Sequence, residues 1–192
     1  VRQFCQHKPV QAFFAPSDTQ GRFFYSEQLD GFNFTQQQTT LEQVLERILS
    51  QTDTEHKTAC YMGSTTLDYC APGMSQYHSL PLTLPQPLVS LWVGSETKVV
   101  AHYDVPDNIA CVASGRRRFT LFPPGQTANL YPGPFEFTPA GQPVSMVNFD
   151  SPDLKRFPCF AQAVAQAQYA ELDAGDAIYI PSMRWHQVDS LI

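Results

Sequence analysis

The chain of 192 residues has no Cys-x-x-Cys pair, no His-Glu-x-x-His signature, no glycine-rich phosphate loop and no Gly-x-Ser-x-Gly elbow. These absences remove support for zinc-knuckle or thioredoxin-type chemistry, for a zinc hydrolase built on one helix, for nucleotide binding and for serine hydrolysis. Its five cysteines are odd in number and widely spaced, which reads as free thiols in a reducing cytoplasm. No apolar stretch approaches the length of a bilayer span, and no signal-peptide pattern opens the chain. A cytoplasmic location without membrane contact is the expectation. Lys and Arg number 12 against 18 Asp and Glu, a net charge of -6. That balance disfavours broad attraction to nucleic acid or to anionic lipid. Internal repeats and low-complexity tracts are also missing.

What the chain does have is 14 Phe, 8 Tyr and 16 Pro. This composition favours short strands joined by rigid turns over a helical bundle. The length suits one domain over 1–192, with 1–87 buttressing a core of 88–192 that carries an insertion at 125–160. Gly21–Tyr25 reads as a strand. The clearest helix covers about 40–51: Thr39 or Thr40 caps it, Glu42 closes a capping box with Thr39, and Leu41, Val44, Leu45 and Ile48 form its apolar stripe. Residues 57–67 read as extended. Further strands are expected at Leu88–Val93, Lys98–Tyr103, Ile109–Ala113, Arg117–Phe122, Tyr169–Leu172 and Ala177–Ile180, with another at Val144–Phe149 and a short helix over Phe160–Gln168. Closely spaced short strands point to a β-barrel or sandwich.

Chemistry concentrates at Ala101-His102-Tyr103-Asp104 and Arg184-Trp185-His186. Two imidazoles and one carboxylate form the set that holds a non-heme Fe(II) on one octahedral face. His102 and Asp104 are two apart and share a face of a strand. The apolar run Asp176–Pro181 leads to His186, the third ligand. Fe(II) and Mn(II) both satisfy this set. Tyr103 and Trp185 flank the ligands with large rings that limit solvent and hold the imidazoles. His7, His56 and His78 read as ordinary surface or core histidines. In Gly115-Arg116-Arg117-Arg118, Arg117 shares a parity with Phe119 and Leu121. An arginine on an apolar inward face needs an anionic partner, and a metal-bound dicarboxylate would be one through a bidentate ion pair. Arg116 and Arg118 remain alternatives.

At these residues the chain resembles the cupin-like JmjC oxygenases, in the branch that contains the hypoxia-inducible-factor asparaginyl hydroxylase. The resemblance is strongest over 88–123 and 172–191, and Asn129-Leu130-Tyr131-Pro132, Asn148-Phe149-Asp150 and Arg156-Phe157-Pro158 extend it. It implies a mainly β, double-stranded β-helix (cupin/jelly-roll) barrel with a few flanking helices. It also implies Fe(II) at His102, Asp104 and His186, with 2-oxoglutarate as co-substrate. Arg117 falls where that branch has a lysine gripping the distal carboxylate of 2-oxoglutarate. Tyr61 and Asn108 match co-substrate-pocket residues, and Trp185 stands beside them. Val99 replaces an expected threonine and removes one hydrogen bond. The family's closing strand and the C-terminal helices through which some members form homodimers are expected to lie outside this chain.

The function implied is a 2-oxoglutarate-dependent dioxygenase that hydroxylates a protein side chain or a small molecule, releasing succinate and CO2. A modified tRNA base is disfavoured by the acidic charge. The other open reading is a metal-binding cupin without oxygenase activity that binds a small ligand or a protein partner.

Overall fold

Alternation of buried and exposed side chains sets the first strand: in Pro9–Ala15 (β1), Val10, Ala12 and Ala15 are buried while Pro9 and Gln11 face solvent. The computed structural model describes residues 1–51, 58–139 and 141–191. Beside β1 run Thr35–Thr40 (β2) and Ala59–Thr66 (β3), and Ser90–Gly94 (β4) completes an antiparallel sheet in the order β2-β1-β3-β4. Between β2 and β3 lies helix Leu41–Ser50 (α1). Thr40 Oγ1 accepts the Gln43 amide and Gln43 Oε1 accepts the Thr40 amide, each at 3.3 Å, which satisfies two amides that the helix itself leaves unpaired. The capping box is therefore Thr40 with Gln43, not Thr39 with Glu42. The expected stripe holds: Leu41 and Val44 are buried, with Leu45 and Ile48 packed against the same cluster of Val10, Ala12, Cys60 and Met62.

The strand Pro9–Ala15 was not singled out in the sequence, and neither was β2. The six residues of β2, Thr-Gln-Gln-Gln-Thr-Thr, contain no apolar side chain, so no hydrophobic period marks them. Short helix Leu67–Cys70 (α2) follows β3. His7 and His78 are exposed; His56 lies outside the described residues.

Contacts divide the chain into two compact units, Val1–Gly21 with Asn33–Thr97, and Arg22–Phe32 with Lys98–Ile192. The second unit holds Lys98–His102 (β5), Asn108–Cys111 (β6), Arg117–Phe122 (β7), Gln168–Leu172 (β8), Ala177–Ile180 (β9) and Trp185–Ser190 (β10). They form a four-stranded sheet, β5-β10-β7-β8, and a two-stranded sheet, β6-β9. Every pairing between these strands is antiparallel. Phe119, Leu121 and Val188 from the larger sheet pack with Ala110, Ile178 and Ile180 from the smaller, so the two sheets share one apolar interior. A mainly β, cupin/jelly-roll architecture is the result. Helix Phe160–Val164 (α3) is shorter than expected. Gly21–Tyr25 and Val144–Phe149 form only isolated bridges, Arg22 to Lys98, Tyr25 to Phe32 and Ser145 to Pro132. Their aromatic and branched residues pack as loop anchors, with Tyr25, Val100 and Val144 in one buried cluster.

Among the described residues, no helix is long and apolar enough to cross a membrane. All five cysteines are free; Cys60 and Cys70 are buried and Cys111 is exposed. Gly21 adopts φ +76°, and a Cβ there would lie 2.1 Å from the Glu96 carbonyl oxygen. Gly21→Ala should cost more than about 1 kcal/mol of stability, and Thr40→Ala about 1 kcal/mol through the lost cap. Urea unfolding of each variant checks both values.

Candidate metal centre

β10 lies between β5 and β7, and its register places His186 opposite His102 on one side and opposite Leu121 on the other. Opposed residues in antiparallel strands project to the same face, so both imidazoles leave the sheet together. Their ring centroids are 4.4 Å apart. His186 thus sits on a strand of its own, not at the end of the run 176–181 that was expected to deliver it. β5 carries a local irregularity here: three steps from Val99 to His102 match two steps from Val188 to His186. Such bulges re-aim side chains beside sites.

β5 ends at His102, so Asp104 belongs to the turn after the strand rather than to the strand. That turn is held from the opposite side. Met183 donates its amide to the Asp104 carbonyl at 2.8 Å, and Ser182 Oγ donates to the Val105 carbonyl. The Tyr179 hydroxyl and the Ser182 amide both donate to Asp107 Oδ1, at 2.8 and 2.9 Å, and they hold that carboxyl below its usual range. The turn that carries Asp104 is therefore clasped to the turn that leads into β10. Asp104 Oδ2 lies 3.6 Å from His186 Nε2, and one ligand atom from each of His102, Asp104 and His186 falls within 4.8 Å of the others.

Hydrogen bonds decide which nitrogens face that point. His102 Nδ1 meets the Val100 carbonyl at 2.8 Å and His186 Nδ1 meets the Arg184 carbonyl at 3.0 Å. A carbonyl only accepts, so each Nδ1 carries the proton and each Nε2 keeps a lone pair for a cation. Burial, followed by the neighbouring His102 imidazole, holds His186 down to about 4, so it is neutral near pH 7. Asp104 is fixed at both oxygens: Asn108 Nδ2 donates to Oδ2 at 2.7 Å and Gln142 Nε2 donates to Oδ1 at 3.0 Å. Two lone-pair nitrogens and an anchored carboxylate fit a divalent transition metal by donor type and by outer-shell support.

The remaining expected residues divide. Asn108 joins the cluster through the Asp104 carboxylate. Trp185 faces away: its neighbour His186 projects to the other side of β10, and the indole is buried with Phe122, Leu130 and Phe160. Its N–H donates to Thr127 Oγ1 at 2.8 Å, and Tyr103 packs edge-on at 5.0 Å. Trp185 and Tyr103 thus stiffen the strand and turn from behind, and Trp185 does not reach the ligand face. Arg117 lies opposite Ser190, in the row of β7 that also holds Phe119 and Leu121, hence on the imidazole face. Arg118 donates to Glu171 at 2.6 and 3.0 Å, and Arg116 contacts Glu171 at 2.9 Å and Asp173 at 3.5 Å. Those two arginines are committed to carboxylates outside. Val99 is opposite Val188 on the inner face. Tyr61 stands in the first unit, on β3, opposite Phe13 and Gly94. Sequence reasoning missed Gln142, which no pattern distinguishes within a Pro- and Gly-rich stretch.

The whole arrangement corresponds to a known family model, described as a cupin-like domain, that matches residues 1–191. The chain belongs to the cupin-like, JmjC-type family. One similar protein is the lysine-specific demethylase JMJ31 of Arabidopsis thaliana, 37% identical over 103 residues, which are 53% of this chain and 18% of that protein. The tRNA wybutosine-synthesizing protein 5 of Mus musculus is 33% identical over 60% of this chain and 31% of its own length. Human HSPB1-associated protein 1 is 33% identical over 71% of this chain and 26% of its own length. The cupin-like chain therefore spans less than a third of each of these relatives.

Asn108→Ala or Gln142→Ala should weaken Mn(II) or Fe(II) affinity by about 10–100-fold while leaving the fold intact; calorimetric titration with Mn(II) reads this. A pH effect follows from His186. With an ordinary value of 6.5 and a folded value of about 4, the unfolded chain binds the extra proton between those limits. Stability of the chelator-treated protein should fall as pH drops from 6.5 toward 4 and be retained above 6.5. Thermal unfolding across that range, compared with His186→Gln, measures the contribution.

Proposed function

We propose that this cupin-like chain is an Fe(II)- and 2-oxoglutarate-dependent oxygenase, a hydroxylase acting on a protein side chain or a small molecule. The observation that carries this reading is the pair of imidazoles, each with Nδ1 given to a backbone carbonyl, facing the same carboxylate. When bound, iron with 2-oxoglutarate supplies the oxidising power for C–H hydroxylation, coupled to release of succinate and CO2. Every other task falls to the chain.

His102, Asp104 and His186 would hold the metal on one side and leave its other side to co-substrate and O2. Asn108 and Gln142 orient the carboxylate by donating to its two oxygens. Arg117 is the residue proposed to grip the distal carboxylate of 2-oxoglutarate. It is the one member of the arginine run on the imidazole face, whereas its neighbours pair with Glu171 and Asp173. Tyr61 and Asn108 are carried as co-substrate contacts by the resemblance to the asparaginyl hydroxylase branch. Val99 lines the inner face with a methyl-bearing side chain where a hydroxyl was expected. Phe119, Leu121, Ile178 and Ile180 fill the adjoining interior and exclude water from that end.

The substrate class rests on chemistry rather than on likeness. The names of the relatives point to different reactions, lysine-specific demethylation in one and tRNA wybutosine synthesis in another. A net charge of -6 favours a protein or small molecule over RNA. Cytoplasmic location and homodimerisation through regions outside this chain complete the proposal.

Purified, iron-loaded protein with ascorbate should convert 2-oxoglutarate to succinate, faster when its substrate is present. Arg117→Ala should abolish 2-oxoglutarate binding in Mn(II)-loaded protein yet keep metal affinity, whereas His102→Ala should lose the metal. Retained metal and co-substrate affinity without succinate formation across substrate panels would instead support the non-catalytic cupin reading.

A further inference from the structure

Apart from the metal centre, the second unit contains a cavity of about 370 Å³, within the usual range for small-molecule sites. Its wall includes Arg22, Arg156, Phe24, Leu29, Met146 and Glu27. The Arg22 guanidinium carbon lies 3.5 Å from the Phe24 ring centroid, and that of Arg156 lies 5.1 Å from the Phe157 ring. A guanidinium stacked through its face still donates hydrogen bonds in its plane, the geometry that matches a phosphate or carboxylate.

The local charge is opposite to that of the chain. Two guanidiniums line the cavity against one carboxylate, a balance of +1 on a protein of net charge -6. Asp150 also acts on Arg22, but Asp150 is ion-paired with Lys98. A positive recess in an acidic protein concentrates anions where the rest of the surface repels them. Burial lowers Arg22 to about 10, which marks a cation that water serves poorly. Leu29 contributes a further feature. It is a leucine at φ +59° with its side chain 40% exposed on the cavity wall. A left-handed conformation at a non-glycine residue is costly and clusters at ligand sites.

We propose that this cavity binds a small organic anion: a phosphate or carboxylate group between Arg22 and Arg156, carried on an apolar body that packs against Phe24, Leu29 and Met146. Glu27 disfavours a second acidic group and favours a hydroxyl or amine beside the first.

The test titrates the purified protein with phenyl phosphate, benzoate and inorganic phosphate, following arginine side-chain resonances by NMR and heat by calorimetry. Saturable binding of phenyl phosphate or benzoate, tighter than inorganic phosphate and shifting the Arg22 Nε–H signal, is expected. The stronger of the two organic probes identifies the acid group. Arg156→Gln, at an exposed position, should weaken binding at least about tenfold, and Arg22→Lys should weaken it less than Arg22→Gln. Absence of saturation at about 10 mM, an affinity weaker than about -3 kcal/mol, would overturn the proposal. So would unchanged affinity in Arg156→Gln, or displacement of the probe by 2-oxoglutarate with Mn(II), which would place it at the metal centre.

Discussion

His102 and His186 face each other across the β5–β10 ladder, and each gives its Nδ1 proton to the carbonyl two residues earlier in its own chain segment, Val100 or Arg184. Both acceptors are backbone, so the tautomer of each ring is set by the strand itself and needs no further side chain. A strand pairing that slipped by one residue would turn one imidazole to the opposite face and end the convergence. Register on both sides of β10 is therefore the constraint on which the site rests. The pairing of β10 with β7, from Trp185 opposite Phe122 to Ser190 opposite Arg117, holds that register along six residues.

Behind this ladder the fold assigns its two kinds of aromatic residue different work. Phe122, Phe160 and Trp185 form the rigid backing, with the indole N–H satisfied by Thr127 so that its burial leaves no donor unpaired. In front, the turns after β5 and before β10 are tied by Asp107, Ser182 and Tyr179. The site is thus supported from both sides of the sheet.

Much of this was legible in the sequence. The candidate ligands His102, Asp104 and His186 stand out because the residue types match a known donor set, and β7 and β9 have the expected bounds because apolar runs there end at Pro123 and Pro181. Parity alone separated Arg117 from Arg116 and Arg118, and the ion pairs of those two neighbours agree with it. Other features left no trace. β2 has no hydrophobic period, and its strand character comes from pairing with β1. Trp185 is next to His186 in sequence but not in space, because neighbours on a strand point apart. Gln142 is a polar residue in an irregular stretch, and only tertiary folding brings its amide to Asp104.

The two amides on Asp104 have a consequence for how this carboxylate behaves. Aspartate ligands in other settings swing between one-oxygen and two-oxygen attachment by turning about the Cβ–Cγ bond. Here Oδ1 is tethered to Gln142 and Oδ2 to Asn108, and any such turn stretches both tethers at once. The direction of each Asp104 oxygen is thus chosen by the two amides, and a cation held there would meet a carboxylate already fixed in its plane.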